Sequence, residues 1–162
     1  MATANTVTES SMTAPSDRPG PVAALDLGEK RIGVALSDST RTIASPHSVV
    51  RRASRAEDFG RFAALIETHR VSLIVIGLPI TLDGQEGQRA AWVRDYAGDL
   101  GRHIDIPIEF WDESLTTVAA TDALHTQGRR GRKLRDRVDA VAAALILQSY
   151  LDAHRGDSPH DE

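Results

Sequence analysis

Two short apolar segments around a polar turn dominate the first third of the chain. They are Val22–Leu27 and Ile32–Leu36, and the turn between them reads GEKR. Apolar segments of this length on either side of a glycine-containing turn predict a β-hairpin. A third strand is expected over Arg41–Val50, where Pro46 favours an edge strand or a bend.

Beyond this hairpin, the apolar pattern alternates between helical and strand periods. A capping-box motif at Ser54–Glu57 begins a helix that ends near His69, and the β-branched segment LIVI at 73–76 is typical of a buried parallel strand. Further helices are expected over 88–100, about 116–126 and 135–154, with a strand over 106–111. This order predicts an α/β fold with a mixed five-stranded sheet, in which a three-strand antiparallel meander is joined by two parallel strands and helices cover both faces.

The composition of the 162 residues predicts one globular domain with a tail at each end. Residues 1–20 are rich in Ser, Thr, Ala and Pro and are expected to be disordered, the domain covers 21–154, and 155–162 form a polar tail. No apolar run approaches the roughly 20 residues of a membrane span, and the N-terminus does not resemble a secretory signal. The absence of cysteine fits a cytoplasmic protein.

The net charge of −4 is a poor guide to binding partners, because the acidic tails contribute much of it. Without them, the chain carries 18 acidic and 17 basic residues. A dense basic segment leads directly into Asp139. The segment could be no more than a solvated loop, but its position favours contacts with a nucleic-acid backbone. Its members are Arg129, Arg130, Arg132, Lys133, Arg135 and Arg137.

Three acidic residues stand where the fold alone would not require them. Asp26 lies inside an apolar strand, Glu113 ends the segment IEFWDE, and Asp139 lies early in the last helix beside positions that must be buried. Each has an ordinary explanation, such as a turn acid or a helix-dipole partner. Together they predict a site for Mg²⁺ or Mn²⁺, which prefer oxygen ligands and can activate water for phosphodiester hydrolysis. The other candidate acids, expected outside this site, are Asp38, Asp83, Glu86 and Asp112.

Five sequence blocks, in order, resemble the YqgF family of Holliday-junction-resolvase-like nucleases. They are LDLGEKRIGVALSD, IASP, VIGLPITLDGQEG, WDESLTT and VDAVAAALILQSYLD, and the match covers roughly residues 22 to 152. The resemblance implies a ribonuclease H-like fold and a nuclease that processes the 5′ end of pre-16S rRNA in the cytoplasm during ribosome maturation. It implies that Asp26, Glu113 and Asp139 are the catalytic metal ligands and that Lys30 and Arg31 bind nucleic acid.

One position departs from the family pattern. The block that usually reads D-E-R-L has Ser114 in place of arginine, and serine cannot hold a phosphate by charge. The basic residues 129–137 are expected to supply that charge instead, or activity is lower.

Other functions remain open from the sequence. They are a nuclease for Holliday junctions or other branched DNA, a nucleotide-binding protein related to actin and sugar kinases, and a non-catalytic module bound to ribosomal precursors or to polymerase. The kinase-like proteins need two lobes, and this chain provides one. The protein is expected to be a monomer or a homodimer, and a resolvase would need the two-fold dimer.

Overall fold

In a computed structural model of the protein, a five-stranded mixed sheet carries helices on both of its faces. The structure describes residues 19–81, 83–113 and 132–155, and the side chains of the last segment from Arg137 onward. The elements are β1 (Val22–Leu27), β2 (Arg31–Ser37), β3 (Ala44–Arg51), α1 (Arg55–His69), β4 (Leu73–Leu78), α2 (Gln88–Gly101), β5 (Ile108–Asp112) and α3 (Arg132–His154).

The strand order in the sheet is β3-β2-β1-β4-β5. β1 pairs with β2 and β2 with β3 in antiparallel fashion, whereas β1–β4 and β4–β5 are parallel. The predicted meander with two added parallel strands is therefore confirmed. The register of β2 and β3 shifts between Val34 and Ala35, opposite Pro46, and β3 lies at an edge where a proline is tolerated.

The two faces of β1 contribute to two separate apolar cores. Leu25 and Leu27 pack in the core that includes α1 and α2, whereas Val22 and Ala24 pack with α3. Because strand side chains alternate between faces, Asp26 lies on the same face as Ala24 and points toward α3. The central strands are buried on both faces, as their uninterrupted apolar sequences indicate.

The hairpin turn is stabilised by a hydrogen bond within it and by the side chain of Arg52. The backbone N–H of Gly28 donates to the carbonyl of Arg31 over 2.9 Å, and a β-carbon at Gly28 would lie 2.6 Å from that oxygen. Arg52 donates to the carbonyl oxygens of Gly28 and Glu29 over 3.2 and 2.8 Å. Its guanidinium carbon lies 4.5 Å from the centre of the Trp92 ring. The residues after β3 therefore fix the turn against α2.

The predicted cap of α1 is confirmed at Ser54, whose hydroxyl accepts from the backbone N–H of Glu57 over 3.1 Å. Asp58 makes a second hydrogen bond at this helix start, because its side chain accepts from the backbone N–H of Ala53 over 3.0 Å. Asp58 is buried, and its other oxygen accepts from the hydroxyl of Tyr96 over 3.0 Å. This bond joins α1 to α2 beneath the sheet.

Some expectations differ from the structure or lie outside it. β3 begins at Ala44 rather than at Arg41, because Asp38 accepts from the backbone N–H groups of Thr42 and Ile43 and holds the preceding residues in a turn. The last helix begins at Arg132, three residues earlier than expected. The expected helix over 116–126 and nearly all of both tails lie outside the described residues. Within the described ranges, no helix is long and apolar enough to cross a membrane.

Candidate active site

The centre of the candidate site is Asp26, which has a glycine on each neighbouring strand. It stands directly opposite Gly33 on β2. On the other side, Leu25 pairs with Ile76, so the register brings Gly77 of β4 level with Asp26. Neither glycine carries a side chain above the sheet, and the carboxylate of Asp26 therefore lies in a gap facing α3.

Glu113 comes to this gap from the next parallel strand. It directly follows β5, and its side chain lies over Gly77: a β-carbon built there would be 2.9 Å from Oε1 of Glu113 and 2.8 Å from Cδ1 of Ile146. Asp26 and Glu113 thus meet near the carboxyl ends of parallel strands, where α/β sheets place their ligand sites.

Asp139 enters from above, on α3. A β-carbon on Gly33 would be only 2.0 Å from the carbonyl oxygen of Asp139, so the helix backbone rests on the bare strand at this point. The Asp139 carboxylate accepts from Nε of Arg31 over 2.6 Å, and each of these two side chains is 23% exposed. The hairpin and the last helix, 108 residues apart in sequence, are joined here.

The negative charges of Glu113 and Asp139 both act on Asp26. Burial, followed by the negative charges of Glu113 and Asp139, raises the pKa of Asp26 to about 7, whereas the positive charge of Arg89 opposes the shift. Burial also raises the pKa of Glu113, again with Arg89 opposing. Two partly buried carboxylates with raised pKa values favour either a bound proton or a bound cation.

Arg89 is a residue of this site that the sequence interpretation missed. It is the second residue of α2, and its Nη2 donates to the carbonyl oxygen of Leu27 over 2.6 Å. It lines a depression of about 390 Å³ together with the hairpin turn and Asp139. The sequence does contain one indication of this role, because Arg89 is a cation in the first turn of the helix that follows the central strand β4.

The three acids offer the type of donor atom that a divalent cation prefers. Carboxylate oxygens suit Mg²⁺ or Mn²⁺, and the guanidinium of Arg31 already stands as a cation beside Asp139. Within residues 19–81, 83–113 and 132–155, however, no three His, Cys, Asp or Glu side chains are arranged closely enough to hold one metal ion. The acids therefore fit a metal by their chemistry and shared location, while Asp139 is engaged by Arg31, and the metal triad stays a prediction.

The remaining candidate residues divide into three groups. Lys30 and Arg31 line the depression, and Lys30 is exposed. Arg132, Lys133 and Arg135 lie in the first turn of α3, before the described side chains begin, and Arg129 and Arg130 lie outside the described residues. The other acids have structural partners: Asp38 holds the β2–β3 turn, Asp83 accepts from Thr81, and Glu86 pairs with Arg94 at 2.7 Å. Asp112 precedes Glu113 on the strand and raises its pKa.

Sequence comparisons identify the chain's relatives. The profile of the family described as "RuvX: Holliday junction resolvase" matches residues 20–153. A protein of Roseiflexus sp. (strain RS-1) is 46% identical over 140 residues, which is 86% of this chain and 99% of that protein. A protein of Anaeromyxobacter sp. (strain Fw109-5) is 46% identical over 128 residues, which is 79% of this chain and 93% of that protein. Both carry the name "Putative pre-16S rRNA nuclease".

A comparison of structures supports the fold. The chain superposes with a TM-score of 0.53 on T. thermophilus RuvC, solved in complex with a Holliday junction substrate. The match covers 86% of this chain and 98% of that protein at 15% identity, so it concerns the fold alone. The expected ribonuclease H-like architecture, of which RuvC is an example, is confirmed.

Proposed function

The chain belongs to the RuvX family, and from this premise we propose that it is a metal-dependent nuclease that trims the 5′ end of pre-16S rRNA. Its relatives' names support this substrate. One observation of the fold carries the proposal: Asp26 lies in a gap made by two strand glycines, with Glu113 and Asp139 close enough to raise its pKa. Acids gathered at this position are costly to the fold unless they serve a cation.

Each acid has a distinct role in this proposal. Asp26 is the fixed ligand, because its strand is buried and hydrogen-bonded on both sides. Glu113 is the second ligand, held over Gly77. Asp139 would be the third ligand, and in this structure its charge is balanced by an ion pair with Arg31. Bound Mg²⁺ or Mn²⁺ would supply Lewis-acid activation of water and stabilisation of the leaving oxygen, in a two-metal arrangement.

Basic residues around the depression would hold the RNA backbone. Lys30 lies exposed on the hairpin turn, and Arg31 stands next to it. Arg129, Arg130, Arg132, Lys133 and Arg135 precede Asp139 in sequence and are proposed to extend this contact. Such phosphate contacts position a strand without reading its bases. The work would be done in the cytoplasm, on a ribosomal precursor.

A second candidate substrate is branched DNA. It is favoured by the description of the family, which names Holliday junction resolvases. A resolvase must cut two symmetry-related strands, which requires two copies of the site in a two-fold dimer. The oligomeric state in solution therefore bears directly on this alternative, and a monomer favours the rRNA substrate.

The test is a cleavage assay with two substrates. Purified protein is incubated with a labelled RNA that spans the 5′ end of 16S rRNA and its leader, and in parallel with a labelled four-way DNA junction, with Mg²⁺, Mn²⁺ or EDTA. We expect RNA cleavage that EDTA abolishes. Metal-dependent cleavage of the junction alone would assign the second substrate. Binding of RNA without cleavage under any metal condition would indicate a non-catalytic module.

A further inference from the structure

The guanidinium of Arg89 is held beside the depression by a hydrogen bond to a main-chain carbonyl oxygen. Its Nη2 donates to the carbonyl oxygen of Leu27, the residue after Asp26, over 2.6 Å. That is its one hydrogen bond to the described part of the chain. An arginine has five donors in a fixed planar arrangement. Arg89 is exposed, so its other donors can reach a ligand while this bond fixes the side chain.

The surroundings of Arg89 select an anion. It lines the same depression as Lys30 and Arg31. Arg31 is already engaged by Asp139 at 2.6 Å. By contrast, the positive charge of Arg89 lowers the pKa of both Asp26 and Glu113. A phosphate that entered the depression would therefore meet Arg89 beside the two acids that the proposed chemistry uses.

We propose that Arg89 is a substrate-binding residue that takes one backbone phosphate of the nucleic acid and places it beside Asp26 and Glu113. This inference rests on the proposed function for the identity of the ligand, but the binding does not require cleavage. A planar guanidinium can bind two phosphate oxygens at once. The bond to the Leu27 carbonyl oxygen gives that pair a fixed orientation relative to the end of β1.

Arg94 provides a matched control on the same helix. It is also an exposed arginine, but it pairs with Glu86 over 2.7 Å and lies over the ring of Phe110 at 4.8 Å, outside the residues that line the depression. Replacing either arginine removes one positive charge from α2. Only the loss of Arg89 removes a donor from the site.

The experiment measures binding of the labelled RNA leader in EDTA between about 50 and 300 mM salt, for wild type, Arg89→Ala, Arg89→Lys and Arg94→Ala. We expect Arg89→Ala to weaken binding about tenfold and to reduce the salt slope of log K by roughly 0.7, the value for one single-strand phosphate contact. Arg89→Lys should restore the slope because it keeps the charge, but only part of the affinity. Arg94→Ala should match wild type.

Cleavage and folding are followed in the same variants. With Mn²⁺, Arg89→Ala should raise KM for the RNA about tenfold. Thermal unfolding measures any loss of stability that comes from removing the hydrogen bond to Leu27. The inference is overturned if Arg89→Ala keeps the wild-type affinity and slope, if Arg94→Ala lowers both equally, or if wild type does not bind RNA. A wild type that never cleaves, yet loses this slope with Arg89→Ala, would refute the proposed reaction and support the phosphate contact.

Discussion

Gly33 and Asp139 meet at main-chain distance: a β-carbon on Gly33 would lie 2.0 Å from the carbonyl oxygen of Asp139. Gly33 is also the strand partner of Asp26. One bare position on β2 thus lets α3 approach the sheet and sets the spacing between two of the three proposed ligands. The approach depends on backbone atoms, which cannot rotate away as a side chain can.

Gly33→Ala should therefore disturb both the fold and the site. The added methyl group must push α3 off the sheet, and we expect the free energy of unfolding to fall by about 3 kcal/mol or more. Chemical denaturation measures this loss. The matched control is Gly60→Ala on α1, where an added β-carbon meets nothing within 4 Å. An exposed helical glycine replaced by alanine should gain roughly 0.5–1 kcal/mol. Equal stability of the two variants would refute the close approach.

Gly77→Ala should affect activity more than stability. Its new methyl group would meet Oε1 of Glu113 at 2.9 Å and Cδ1 of Ile146 at 2.8 Å, which are ends of side chains and can move. We expect the free energy of unfolding to fall by about 1–2 kcal/mol. Because Glu113 must turn away from Asp26, kcat should fall by roughly a hundredfold, as a small displacement of a reacting group can cost. An unchanged kcat would show that Glu113 has no required position over Gly77.

Asp26→Asn should change how the stability of the metal-free protein depends on pH. The folded-state pKa of Asp26 is about 7, raised first by burial, whereas its ordinary value is 3.8. Below about pH 4, Asp26 is protonated in both states and does not change the free energy of unfolding. As the pH rises from about 4 to 7, its burial lowers the free energy of unfolding progressively, and above pH 7 the loss is complete. In EDTA, the variant should equal wild type near pH 4 and exceed it by a few kcal/mol near pH 8. Parallel stability curves in urea would contradict the raised pKa.

Much of this arrangement could be predicted because it depends on short stretches of the sequence. The hairpin, the buried strand at 73–76 and the cap at Ser54 follow from apolar period and turn chemistry, and the structure confirms them. Asp26 was recognisable because a carboxylate inside an apolar strand conflicts with burial. The glycines opposite it, Gly33 and Gly77, carried a readable signal as well, since glycine inside a strand often marks a close approach.

The pairing of distant groups could not be predicted in the same way. The ion pair of Arg31 and Asp139 joins residues 108 positions apart, and no local pattern specifies which partner a cation will find. Arg89 was missed because a cation at the start of a helix resembles an ordinary surface residue until its bond to Leu27 is known. The charge that replaces the family arginine at Ser114 was expected from residues 129–137, of which the structure describes a side chain only for Arg137, which is exposed.

The most direct measurement of the central claim is Mn²⁺ binding and RNA cleavage in isosteric variants of the three acids. Asp26→Asn, Glu113→Gln and Asp139→Asn are compared with Asp95→Asn, whose side chain is 73% exposed and pairs with Arg55 on the surface. Calorimetry gives the metal affinity, and single-turnover cleavage of the RNA leader gives the rate. We expect each site variant to fold, to bind Mn²⁺ at least about tenfold more weakly and to lose roughly a thousandfold in rate, about 4 kcal/mol of transition-state stabilisation. Asp95→Asn should match wild type. Wild-type cleavage and metal affinity in Asp26→Asn would contradict the account.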